Sequence, residues 1–379
     1  MSDFQQPFVF GVQVSGETFT DRVEETKRLK NNFEHGINTI LISPRRMGKT
    51  SLVDKVSNLV KSEKVYIARF DAFKCRSEID FANALATAVI KATSSRWEEW
   101  MENVKVFLSR FVPKISLGTD PMTDFAISFE LNPKSGFVDE VLELPQRIAE
   151  KKGIRIVVCI DEFQQIGEFD DSLTFQKRLR GVWQLQKGAS YCLYGSKKSL
   201  MEKMFQKSNN PFYRFGDIFY LQKISEADWV SFICERFASS GKQISSELAS
   251  RIAQATQCYS AYVQQLAWFV WSATKDVAGE KEFAAGIKTL LDSCEPLFIE
   301  QTEKLTEKQI NFLKALVDGV QEGFSNKETL AEYRLGNSAN VARVKKSLID
   351  KDLITAVGIG KVELADPILG LWLKERVWK

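Results

Sequence analysis

Two hydrophobic rhythms alternate through the first half of the chain. Short apolar, β-branched runs at 38–42, 65–70, 154–160, 190–194 and 218–221 read as strands. The run 154–160 is apolar at every position but Arg155, as expected of a strand buried on both faces. Between these runs the apolar residues fall at helical spacing, over 50–61 and 78–93 among others. Strands alternating with helices predict a parallel sheet in an α/β layer.

The rhythm breaks between about 96 and 135, where an amphipathic helical pattern precedes a hairpin around Gly118-Thr119-Asp120-Pro121. This segment reads as an insertion on the α/β core. Its Trp and Phe side chains suit either an interaction surface or packing back on that core. From 226 to 302 the pattern is mostly helical, with Ser225 as a predicted N-cap. The end of the chain changes again. Three short helical patterns follow Leu305, and "DLITAVGIGKVELAD" (352–366) then predicts a two-strand β wing. The expected division is an α/β domain over 1–223, a helical lid over 224–302 and a winged helix-turn-helix over 303–379.

Composition narrows the chemistry. With 44% hydrophobic and 27% charged residues the chain is ordinary globular material, long enough for two or three cores. A net charge of +3 is too small for a surface-wide nucleic-acid coat, so any such contact must be a local patch. Six cysteines (75, 159, 192, 234, 258, 294) form no CxxC pair, and Cys159 and Cys192 read as buried thiols inside apolar runs. His35 is the only histidine, which argues against Ser-His and Cys-His triads and against zinc sites. The opening MSDFQQPFVF lacks the marks of a signal peptide. The apolar run 266–271 falls far short of the roughly 20 residues of a membrane helix. A cytoplasmic protein without membrane contact is expected.

Two stretches carry candidate chemistry. "SPRRMGKTS" (43–51) follows a strand and opens a helix, the context of a phosphate-binding loop whose first glycine is replaced by Ser43. In that reading the backbone of Ser43, Pro44, Arg45, Arg46, Met47, Gly48 and Ser51 contributes to a cradle for ATP phosphates at a helix N-terminus. Lys49 reaches the β- and γ-phosphates and the Thr50 hydroxyl ligates Mg²⁺. Side-chain contact of Arg45 or Arg46 with phosphate competes with salt bridges at the sheet edge. "IRIVVCIDEF" (154–163) is a buried strand ending in two carboxylates. Asp161 suits the Mg²⁺ shell and Glu162 suits a general base for the attacking water. The two motifs in this order, with strand 65–70 between them, resemble the additional-strand, catalytic-glutamate (ASCE) class of P-loop ATPases.

The motif set extends this resemblance. "FTDRVEETKRL" (19–29), "SPRRMGKTSLV" (43–53), "VVCIDEFQQI" (157–166), "LYGSKKSLMEKMF" (193–205), "PFYRFGDI" (211–218) and a terminal "LADPILGLWL" (364–373) together resemble the AAA-type archaeal ATPase family. That family lies close to the STAND signalling ATPases and also occurs in bacteria. The resemblance implies a P-loop NTPase core of ASCE/AAA type, a helical lid, a C-terminal winged helix, and tolerance of Ser or Gly at the loop's first position. It also implies that Arg22, with Asp21 and Glu25, shapes the adenine pocket, where a helix-entry cap is the alternative. Ser196 falls at the position of a γ-phosphate sensor, or else at a plain strand-to-helix turn. Arg214 lies near the family's arginine finger, although "PFYRFGD" departs from the family's "PFYGR", and an ordinary surface ion pair is the alternative.

In the last module, apolar residues at 305, 310, 313, 316 and 317 mark one helix, with Thr306 as its N-cap. A helix, a turn at Gly336 and a second helix follow. There Val341, Val344 and Leu348 are expected inward, and Ala342, Arg343, Lys345 and Lys346 outward. This is helix-turn-helix spacing with a basic face, suited to phosphate contact on double-stranded DNA or to docking a protein partner. Three functions follow as alternatives: an ATP-hydrolysing switch, a DNA-binding regulator with nucleotide as ligand, or an interaction scaffold. Oligomers are compatible with each.

Overall fold

The computed structural model describes residues 6–12, 19–62, 64–94, 99, 102, 106, 113–117, 125–129, 136–358 and 360–378. It divides into two compact units. One comprises Arg22–Arg45 and Lys49–Gln222; the other comprises Met1–Asp21, Arg46–Gly48 and Lys223–Lys379.

The first unit is built on five parallel strands: β1 (Thr39–Ile42), β2 (Val65–Asp71), β5 (Arg155–Asp161), β6 (Ala189–Gly195) and β7 (Asp217–Tyr220), in spatial order β2-β5-β6-β1-β7. β1 and β6 are buried at every residue, Thr39 and Ser190 included. Register pairs Asp71 with Asp161, Ile160 with Leu193, and Ile42 with Gly195. The residues that follow β1, β5 and β6 therefore leave the sheet at one carboxyl edge, where α/β proteins place their ligands. The sequence pattern put the phosphate loop and the acidic pair at the same edge. It did not show that β6 lies between their two strands.

Helices Lys49–Val60, Glu78–Ala92, Phe137–Lys152, Ser172–Trp183 and Lys198–Gln206 accompany the sheet. An aromatic cluster fills the core, with Trp183 stacked on Tyr191 at 3.9 Å and Phe163 packed against Trp183, Phe205 and Phe212. Truncating one such ring to Ala costs about 3–5 kcal/mol. Phe163 directly follows Glu162, so this packing anchors the turn that carries the second carboxylate. Cys159 and Cys192 are paired in register on β5 and β6, free and buried. Within the expected insertion, β3 (Pro113–Leu117) pairs antiparallel with β4 (Phe125–Phe129). The turn at 118–121 and most of the preceding helical pattern lie outside the described residues.

The second unit is largely helical: Glu226–Ser239, Ser246–Ala255, Ser260–Ala273 and Glu280–Thr302, then Glu307–Val317, Lys327–Glu332 and Ser338–Asp350. Ser225 caps its helix by accepting from the Asp228 amide. Thr306 forms a capping box with Gln309. Gln309 Nε2 donates to Ser347 Oγ at 2.9 Å, and Phe312 stacks on Phe324 at 4.1 Å. The antiparallel pair β8 (Ile354–Ala356) and β9 (Val362–Leu364) completes the wing. Among the described residues no helix is long and apolar enough to cross a membrane.

Candidate functional site

Lys49 opens the helix after the phosphate loop and is only 6% exposed. Its ammonium donates back to the carbonyls of Ser43 (3.2 Å) and Pro44 (2.9 Å). Burial lowers its pKa to about 8, partly opposed by the fields of Glu162 and Asp161 and reinforced by Arg45. No carboxylate among the described residues lies within ion-pair distance of Lys49. A buried cation held only by carbonyls suits an anion arriving from outside.

Thr50 Oγ1 donates to Asp161 Oδ2 at 2.9 Å across 111 residues of sequence. Burial pushes the Asp161 carboxyl up, and hydrogen bonds from Thr50 and the Glu162 amide oppose the shift. A hydroxyl and a carboxylate in contact at a strand tip supply the hard oxygen donors that Mg²⁺ takes. The fit is chemical: donor type, burial and a neighbouring cation for the phosphates.

Glu162 stands in the left-handed region (φ 48°), where the chain turns from β5 into a 3-10 helix, Phe163–Glu168. Its Oε2 accepts from Ser196 Oγ (2.8 Å), more distantly from the Ser196 amide (3.4 Å), and from Gln164 Nε2. Arg45 Nε in turn donates to Ser196 Oγ at 3.4 Å. Ser196 thus joins the phosphate loop to Glu162, more than a bare strand-to-helix turn does. The sequence reading passed over Gln164. No charge or spacing rule marks an amide two residues past a carboxylate, and only the fold shows its side chain turned back on Glu162.

The remaining candidates have different surroundings. Ser43 is buried, with its hydroxyl 3.1 Å from the Pro44 carbonyl. Ser51 is half-buried on the first turn of the helix. Gly48 (φ +83°) needs the conformational freedom of glycine. Among the described residues Arg46 makes no sheet-edge salt bridge. In its own unit its guanidinium donates to Tyr262 and Asp366 and lies over the Tyr262 ring, while Tyr262 Oη donates to Asp366 Oδ2 at 2.5 Å. Met47 is buried, and its carbonyl is 3.5 Å from Ser260 Oγ. Arg22 stands at the N-cap position of the helix Val23–His35, is only 3% exposed, and is bonded to Glu25 and to the Gln222 carbonyl. Arg214 is exposed in the left-handed region (φ 53°), over the Tyr213 ring.

In the helix Ser338–Asp350, Val341 and Leu348 are buried and Val344 half-buried. Arg343 and Lys346 are exposed as expected. Lys345 is half-buried, with Nζ donating to the Gly360 carbonyl at 2.9 Å. One of the three expected outward cations is thus engaged by the wing's turn.

A model of the KAP family P-loop domain matches residues 47–167, and a model described as a probable winged helix domain matches residues 296–375. The chain has a P-loop NTPase core and a C-terminal winged helix. No curated protein matches its sequence. Among solved structures, the Walker-type ATPase of Pyrococcus abyssi superposes with TM-score 0.70 at 16% identity, over 97% of this chain and 99% of that one. The ORC2 protein of Aeropyrum pernix, in ADPNP–ADP complexes, gives 0.58 at 13% identity over 98% and 96%. The ORC1 protein of the same organism, in complex with DNA, gives 0.50 at 13% identity over 95% and 94%. At these identities the likeness is one of fold.

Proposed function

We propose that this protein binds ATP with Mg²⁺ and hydrolyses it to ADP and phosphate, and that turnover resets its helical lid and winged helix. The three-part division at 223 and 302 belongs to the same reading. The observation that carries it is the Thr50–Asp161 hydrogen bond beside the buried Lys49 ammonium. A phosphate loop and an acidic strand tip converge although far apart in sequence.

The chain's own groups divide the work. The loop backbone from Ser43 to Ser51 and the helix N-terminus hold the phosphates, and Lys49 meets the β- and γ-phosphate charge. Thr50 and Asp161 would hold Mg²⁺, which spreads the charge of the transferring phosphoryl group when bound. Glu162 takes a proton from the water whose oxygen attacks the γ-phosphorus. The bond to the β–γ bridging oxygen breaks, and ADP leaves with the electron pair. Ser196, and Arg45 behind it, read the γ-phosphate. Arg22 acts as a fixed support near the base of the nucleotide. Arg214, exposed over the Tyr213 ring, enters only as a candidate finger.

A second reading, a DNA-binding regulator in which nucleotide is a ligand with negligible turnover, is favoured by one observation. Arg343 and Lys346 are exposed on a helix N-capped by Asn337, whose Oδ1 accepts from the Asn340 amide at 2.9 Å. The DNA complex of a protein of similar fold adds to it. Docking of a protein partner on this module, and oligomerisation, fit the same surface.

Phosphate release from ATP, measured with and without duplex DNA beside Glu162→Gln, separates the two. Release that needs Mg²⁺ and Glu162 upholds the first reading; equal release from both proteins rejects it.

A further inference from the structure

The hydrogen bonds of the Glu162 carboxylate among the described residues all converge on one oxygen, Oε2. A general base needs the opposite oxygen aimed at water, so whatever grips Oε2 sets that aim. Ser196 grips it from the tip of β6. Gln164 grips it from within the same turn, and this side chain is unusual in three ways. It is a primary amide only 4% exposed. Its Nε2 points at Glu162, while its Oε1 is buried with no hydrogen-bond partner among the described residues. Oε1 also sits directly over Gly195: a methyl group built there would lie 1.8 Å from it. The carboxylate can only accept, so Nε2 must be the end that faces it.

A buried amide that leaves its carbonyl unsatisfied is costly for the fold, and such groups call for an explanation. Here the fold retains it in the one orientation that fixes the carboxylate. The alternative of a side chain merely filling space does not fit, since an apolar residue of the same shape would fill that space without an orphaned carbonyl.

We infer that Gln164, seated on Gly195, is the positioning residue for Glu162: it pins Oε2 so that Oε1 faces the hydrolytic water. This inference rests on the reading of Glu162 as general base. It also assigns Gly195 a purpose, the only residue type whose lack of a side chain leaves room for the amide at this strand end.

The test is a comparison of Gln164→Met, Gly195→Ala and the double variant by steady-state ATP turnover, nucleotide titration and thermal melting. Gln164→Met keeps the length of the side chain and removes the donor. Loss of one hydrogen bond to a charged group predicts a roughly 10- to 100-fold lower kcat. KM, nucleotide affinity and Tm should stay near wild type, a split that general damage to the fold does not produce. Gly195→Ala should lower kcat by displacing the amide, and the double variant should be no worse than the poorer single one. Wild-type kcat in Gln164→Met, a parallel fall in affinity and Tm, or full additivity in the double variant overturns the inference. If Glu162→Gln hydrolyses ATP as wild type does, the reading beneath it fails as well, and the two failures are thereby told apart.

Discussion

Lys49 and Lys346 are the same side chain in opposite settings, and the contrast extends to the regions they stand for. At the strand tips of the first unit, Lys49 is buried, bonded to two backbone carbonyls, with its pKa lowered to about 8. Around it Thr50, Asp161, Glu162, Gln164 and Ser196 come from three separate stretches of sequence and are joined by hydrogen bonds. On the helix Ser338–Asp350, Arg343 and Lys346 stand exposed within a single turn. A buried cation costs the fold stability, so its retention argues for a ligand that offsets the cost. An exposed one costs almost nothing and occurs on many surfaces without a ligand. Burial is what makes the strand tips the stronger functional evidence, even though both regions are charged.

The largest effects should come from the buried region. Glu162→Gln is expected to lower kcat by about 10²–10⁴, the usual contribution of a positioned general base, while ATP still binds in equilibrium titration. Lys49→Ala should instead weaken ATP binding, on the order of 10²-fold, as charge-assisted contacts to two phosphates are lost. If the first variant lost binding, or the second lost only turnover, the assignment of base and phosphate cradle would have to be exchanged or dropped.

Much of this region was legible beforehand. The short, largely apolar runs that became β1, β5 and β6 put 43–50 and Asp161-Glu162 at strand ends, and the helical spacing after Thr50 gave the loop its context. Other features were hidden because they depend on contacts made by folding. The order of strands follows from which faces bury together, so β6 between β1 and β5 has no local signature. The Gln164 amide and the Arg46–Asp366 pair join residues whose sequence spacing says nothing about meeting. In the winged helix, the apolar stripe gave Val341 and Leu348 correctly. Lys345 is half-buried because the wing's turn, which lies beyond this helix's own apolar pattern, offers it the Gly360 carbonyl.

A pH titration sharpens the contrast at smaller scale. Burial holds the Lys49 pKa below its ordinary value, so without nucleotide the ammonium loses its proton as pH rises past about 8. A bound triphosphate favours the charged form, which makes binding take up a proton in that range. ATP affinity should be full below pH 8 and decline above it, approaching tenfold per pH unit. Lys49→Arg, whose charge does not titrate, should show no such decline. An identical decline in both proteins would remove Lys49 as the source.

The smallest effects belong to the exposed helix. If it meets duplex DNA, each cation that touches a phosphate releases counterions, so log K falls with log salt by about 0.9 per contact. Arg343→Ala and Lys346→Ala should each flatten that slope by about this amount and weaken binding alike on different sequences. Lys345→Ala should change it less, since its ammonium is already engaged by the wing. Should Lys345 prove the largest contributor, the wing contact must break on binding and the helix meets its partner in another conformation. A protein that binds no duplex even at low salt leaves these residues as a solvated face, and the comparison with Lys49 then stands as one between a site and a surface.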